Sequence, residues 1–180
     1  MFAFVTLAFV TSCSNDDTAV NEEELITTVI TTLIGDGQTI TLTARDLDGD
    51  GPNPPVVTVS GNLVAGTTYS GSTRFLNELT NPVDEITEEV QEEGTAHQVF
   101  YRLASNLGTI TYNYMNVDAN GKPIGIQFNL ATSSNSQTSG TLVVTLLHLP
   151  NKLATGVEDG NQTNAGGATD AVAIFPLQIQ

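Results

Sequence analysis

Residues 25–34 read Leu-Ile-Thr-Thr-Val-Ile-Thr-Thr-Leu-Ile, a run dominated by β-branched side chains that suit strands. Gly35-Asp36-Gly37 follows as a turn signal, and Ile40 and Leu42 then alternate with Thr39, Thr41 and Thr43. Two such runs around a Gly-containing turn predict a β-hairpin. Residues 56–59 predict a short strand, and residues 67–76 a longer one alternating around Tyr69, Gly71, Thr73 and Phe75. In residues 97–103, His97, Val99, Tyr101 and Leu103 fall on one face, and Gln98, Phe100 and Arg102 on the other. Strands at 109–117 and 124–132 are expected to form a second hairpin across Asp118-Ala119-Asn120-Gly121. Residues 142–149 are the most apolar stretch after the N-terminal run, which predicts a central strand. Residues 171–179 form the closing strand, where Pro176 argues for an edge position or a bulge.

Residues 82–93 change character. Val83, Ile86 and Val90 recur at helical spacing, Asp84 and Glu85 sit in the first turn, and Gly94 ends the run. One short surface helix is predicted there. Residues 133–139 and the Gly/Asn-rich 150–169 read as surface loops, the second long and mobile. About eight strands, one helix and no βαβ rhythm indicate an all-β fold. The expectation is an antiparallel, immunoglobulin-like β-sandwich, with a closed β-barrel as the alternative.

The N-terminus follows another pattern. Residues 2–10 are an apolar run of signal-peptide length, too short to span a bilayer as a helix. No Lys or Arg precedes the run, which points to a truncated start. Val10-Thr11-Ser12-Cys13 resembles the bacterial lipobox, in which the leader is removed and the cysteine acylated. That resemblance implies a signal peptide over 1–12, a lipid on Cys13 with an acidic tether over 13–23, and a single domain over 24–180. More than one acyl chain gives stable membrane anchoring. Ser14-Asn15-Asp16-Asp17 resembles the acidic tetrads that direct Bacteroidetes-type lipoproteins to the cell surface, with the periplasmic face of the outer membrane as the alternative. Asp17-Thr18-Ala19 resembles a short O-glycosylation acceptor of the same bacteria.

Twenty Asp and Glu against five Lys and Arg give a formal charge of −15. Such a surface repels phosphate backbones and excludes nucleic acid as a partner, while it favours cations and basic partners. With the single cysteine acylated there is no disulfide, and the core alone must hold the domain.

Two constellations carry candidate chemistry. Asp46-Leu47-Asp48-Gly49-Asp50-Gly51 matches the first half of a Ca²⁺ loop, where alternate carboxylates (Asp46, Asp48, Asp50) converge on a hard cation. The bidentate Glu of the complete EF-hand loop is replaced by Val57, so Asp118 or Glu78 would have to complete the site. The competing reading is a solvated acidic turn. The second constellation joins the acidic helix to two histidines. Glu85 with Glu89, and Glu88 with Glu92, are like-charged pairs four residues apart that a cation would relieve. His97 begins one strand and His148 ends another, so antiparallel pairing of the two would bring both imidazoles to one sheet end. His97, His148, Glu89 and Glu93 are the resulting metal candidates, for Zn²⁺ or Cu²⁺. The competing reading is a solvated helix with two hydrogen-bonded histidines. No nucleophile elbow, H-E-x-x-H, P-loop or dinucleotide fingerprint occurs, and no catalytic residue is assigned.

Several stretches together resemble an uncharacterised family of lipoproteins from Flavobacteria-like bacteria across nearly the whole chain after Cys13. They are Asn21-Glu22-Glu23-Glu24-Leu25-Ile26-Thr27, Arg45-Asp46-Leu47-Asp48-Gly49-Asp50-Gly51, Ile86-Thr87-Glu88-Glu89, His97-Gln98-Val99-Phe100-Tyr101, and His148 with Pro150-Asn151-Lys152. Some members carry the label of a type 1 periplasmic binding fold, an α/β architecture whose crossover helices this chain's pattern lacks. The resemblance implies an envelope location and no defined activity. The expectation is a lipid-anchored, non-catalytic binding or transport-accessory module, with an outer-membrane transport protein as a candidate partner. A structural envelope component and a hydrolase with an unrecognised site are the alternatives.

Overall fold

A computed structural model describes residues 24–49, 51–113 and 115–180. The expected signal peptide, Cys13 and the expected tether lie outside the described residues.

The strands are β1 (Thr28–Gly35), β2 (Gln38–Arg45), β3 (Val56–Val59), β4 (Thr68–Leu76), β5 (His97–Leu103), β6 (Gly108–Tyr112), β7 (Gln127–Thr132), β8 (Thr138–His148) and β9 (Ala168–Ile179). One helix, α1 (Ile86–Glu92), lies between β4 and β5. The larger sheet has the order β3-β2-β1-β4-β7-β6, and the smaller β5-β8-β9. All strand pairs within them are antiparallel. Both sheets are open, so the architecture is the expected sandwich and not a closed barrel.

Local chemistry accounts for the main elements. Asp36 and Gly37 take φ of 50° and 70°, the positive pair that a two-residue hairpin turn demands. The turn sets β1 on β2 in the register Gly35↔Gln38 to Thr28↔Arg45. The most apolar run becomes β8, which is central in the smaller sheet as its composition predicts. Pro176 lies on β9, an outer strand of that sheet, where its missing N–H leaves the β8 ladder intact.

Alternate residues of both sheets fill the interior. Leu33, Leu42, Tyr69, Phe75 and Leu130 of the larger sheet are fully buried, as are Val99, Leu142, Leu146 and Phe175 of the smaller. Each such side chain contributes about 1.5–3 kcal/mol through burial. A polar bolt crosses this core. Thr31 Oγ1 lies 2.9 Å from Thr73 Oγ1, which lies 2.9 Å from Tyr101 Oη. Tyr101 Oη also lies 2.8 Å from the Gly125 carbonyl, which takes the phenol proton because it can only accept.

The segment between β8 and β9 departs from the sequence expectation of a mobile loop. It contains two 3₁₀ turns, and its Val157 and Ala165 pack on Phe100 and Leu147, covering part of the outer face of the smaller sheet. Lys152 of this segment is buried, with Nζ 3.0 Å from Asp118 Oδ2 and 2.9 Å from the Pro123 carbonyl. Its Gly and Asn content hid two apolar anchors and one buried cation. Among the described residues, no helix is long and apolar enough to cross a membrane.

Candidate metal centre

The β5–β8 register sets His97 directly opposite His148. Their ring centroids are 4.5 Å apart, tilted by 40°, and both rings point into the sandwich at its end. Neither side chain is more than 2% exposed. His97 Nδ1 is 3.3 Å from the carbonyl of Glu93. That carbonyl can only accept, so Nδ1 carries a proton and Nε2 is the ring nitrogen turned toward the carboxylates.

Two carboxylates meet these rings. Glu24, four residues ahead of β1, places Oε1 3.1 Å from His97 Nε2 and Oε2 3.7 Å from His148 Nδ1. Asp170 of β9 places Oδ2 3.8 Å from His97 Nε2 and Oδ1 3.7 Å from His148 Nδ1. One ligand atom from each of the four residues lies within 4.8 Å of the other three. The Glu24 side chain is 8% exposed and that of Asp170 fully buried. His97 Nε2 and Glu24 Oε2 make no hydrogen bond in this buried space.

A bulge delivers Asp170. Leu146 pairs with Ala171 but Leu147 pairs with Thr169, so Asp170 is the extra residue between two ladder positions. Strict alternation would set it with Val172 and Ile174, which are about half exposed. The bulge turns it inward, the recurring use of such an insertion beside a functional site.

The sequence-derived set is therefore partly assembled. His97 and His148 meet as their strand pairing requires. Glu89 and Glu93 are exposed and stand outside the group of four. Glu93 contributes through its backbone carbonyl. Glu89 feels the site at a distance: burial, and repulsion from Asp84, Glu24, Glu93 and Glu92, raise its carboxyl pKa. The acidic helix thus adds negative charge on the side of Glu24, which favours cations there.

The Ca²⁺ candidates are arranged differently. Asp48 Oδ2 accepts from both the backbone N–H and the side-chain amide of Asn53, at 3.3 and 2.7 Å. The Asn53 side-chain hydrogen bond in particular holds the Asp48 carboxyl below its ordinary range. Asp46 Oδ1 accepts from the Asp48 backbone N–H, and Asp50 lies outside the described residues. Of the two supplementary ligands, Glu78 is bound to Arg45 and Thr28, and Asp118 to Lys152. The Asp46 loop does border a surface cleft of about 260 Å³ whose wall also includes Thr27, Gly49 and Asp170.

Glu24 and Asp170 were not singled out from the sequence. Glu24 closes a polar acidic run with no periodicity, and Asp170 becomes a ligand candidate only through the bulge.

What the four residues can do follows from their donor set. His97 Nε2 and the oxygens of two carboxylates face one buried point, where burying such charge is costly unless a proton or a cation sits between them. Two imidazoles and two carboxylates suit Zn²⁺ and Cu²⁺ better than Ca²⁺, which takes six to eight oxygens. Comparison with protein-family models, with curated proteins and with solved structures finds no match to this chain.

Proposed function

We propose that the protein is a non-catalytic cation-binding module of the bacterial envelope, anchored by lipid on Cys13. The observation that carries the binding half is the convergence of Glu24, His97, His148 and Asp170 on one buried point. The surrounding charge of −15 supports it by concentrating cations. The anchoring half rests on the lipobox-like tetrad and on the resemblance to flavobacterial lipoproteins. A catalytic metal keeps one coordination position open for water or substrate. Four converging side chains, none more than 8% exposed, favour a retained ion over hydrolysis and over delivery to a transport protein.

Dialysis of the full chain against a mixture of Mg²⁺, Ca²⁺, Zn²⁺ and Cu²⁺, followed by elemental analysis, tests the binding. One equivalent of metal is expected, lost in His97→Ala. Absence of metal above background overturns the proposal and leaves a proton shared between His97 Nε2 and Glu24 Oε1, 3.1 Å apart, as the occupant. Mass spectrometry of the mature protein tests the anchor: Cys13 should be acylated and residues 1–12 gone.

A further inference from the structure

We infer that the ion is a four-coordinate divalent transition metal of the Zn²⁺ type, and that by holding Glu24 it fastens the beginning of the domain to the smaller sheet. The inference rests on the cation-binding reading above and adds the class of ion and its mechanical role.

The ion class follows from the donor set, two imidazoles and two carboxylates, with which the spacing is compatible. Tetrahedral Zn²⁺ with bonds of about 2.0–2.1 Å sets its ligand atoms roughly 3.3 Å apart. Each carboxylate turns one oxygen to each imidazole, Glu24 at 3.1 and 3.7 Å and Asp170 at 3.8 and 3.7 Å, and one atom from each of the four residues lies within 4.8 Å of the others, so side-chain shifts of roughly 1 Å gather one donor from each into such a shell. Ca²⁺ would need several further oxygens and longer bonds. The Glu93 carbonyl on His97 Nδ1 supplies the outer-shell contact that orients a ligating imidazole.

The mechanical role follows from how each ligand is held. His97, His148 and Asp170 belong to β5, β8 and β9, whose ladders position them with or without an ion. Glu24 belongs to no strand. Among the described residues, Thr27 is the first to make a backbone hydrogen bond, to Leu76 and Asp46. Leu25 is 58% exposed, and Ile26 packs against the core. Among the described residues ahead of Ile26, the Glu24 carboxylate is therefore the point of attachment, and the ion makes that attachment firm. β1 belongs to the larger sheet, so the ion ties the lead into one sheet to three strands of the other.

Hydrogen exchange with mass spectrometry on the full chain tests this, in chelator, in Zn²⁺ and in Ca²⁺. Zn²⁺ should slow exchange in residues 24–27 at least tenfold, with Ca²⁺ behaving like chelator. In Glu24→Gln the Zn²⁺ affinity should fall at least tenfold. Protection of 24–27 should then vanish, while the ladders of β5 and β8 stay protected. Melting of Glu24→Gln in chelator, compared with the parent in chelator, reports whether the variant folds. If no ion binds, the functional proposal and this inference both fail. If Zn²⁺ binds and 24–27 exchange unchanged, the fastening is wrong and the binding stands. Equal protection by Ca²⁺ overturns the ion class alone.

Discussion

Lys152 is a cation buried in a strongly acidic protein, and its neighbours explain how it is tolerated. Burial lowers its pKa, and Asp118 opposes that shift by hydrogen bond and charge. Burial tends to raise the Asp118 carboxyl. The backbone N–H groups of Lys122 and Asn120 and the Lys152 ammonium outweigh it and hold the pKa below the ordinary value. A carboxylate so depressed contributes stability that is fully present above its unfolded pKa of about 3.9. That contribution is lost as pH falls from there through the folded value. Denaturant midpoints measured from pH 6 down to pH 3 should therefore fall less steeply in Asp118→Asn than in the parent. Equal slopes would show that Asp118 is not linked to acid unfolding. The depressed Glu78 and Glu85 carboxyls, paired with Arg45 and Arg74, account for part of the slope that remains.

At the scale of the element, the bulge in β9 decides where one carboxylate goes. Deleting Thr169 removes the extra residue and slides Asp170 to the ladder position opposite Leu147, on the outer face. The shortened strand should still pair with β8 but lose metal uptake, although no ligand has been substituted. Retained uptake would mean that Asp170 is not a ligand. This also marks how far the sequence could be read. Period-two alternation was enough to locate the strands, because one inward face is apolar in nearly all of them. The opposition of His97 and His148 followed once β5 and β8 were neighbours. A bulge breaks the same periodicity, and Asp170 then reads as an outward residue. Glu24 was hidden for another reason: its partners lie more than seventy residues away, and nothing local distinguishes it from Glu22 and Glu23. The 150–169 segment hid its order because Val157, Ala165 and Lys152 are scattered among turn-forming residues.

For the whole molecule, an occupied centre adds to stability by mass action, because only the folded chain brings the four ligands together. At a free ion concentration a hundred times the Kd the gain is about 2.7 kcal/mol. For a domain of this size that corresponds to a rise in Tm of roughly 5–10 °C. Zn²⁺ should produce the rise, chelator should reverse it, and millimolar Ca²⁺ should not reproduce it. An unchanged Tm at saturating Zn²⁺ would mean that the folded chain binds the ion no better than the unfolded one, which overturns the centre.

One outer strand of each sheet, β3 and β9, bears on behaviour at high density. β3 is four residues long and follows Pro54-Pro55, while Pro176 interrupts the donor row of β9 and a bridge from Leu63 covers its far end. If the proposed lipid on Cys13 confines the protein to a surface, it meets copies of itself far more often than in free solution. Strand margins shortened and interrupted in this way give a neighbouring copy little backbone to zip onto. Crowding can then proceed without the sheets merging into fibrils.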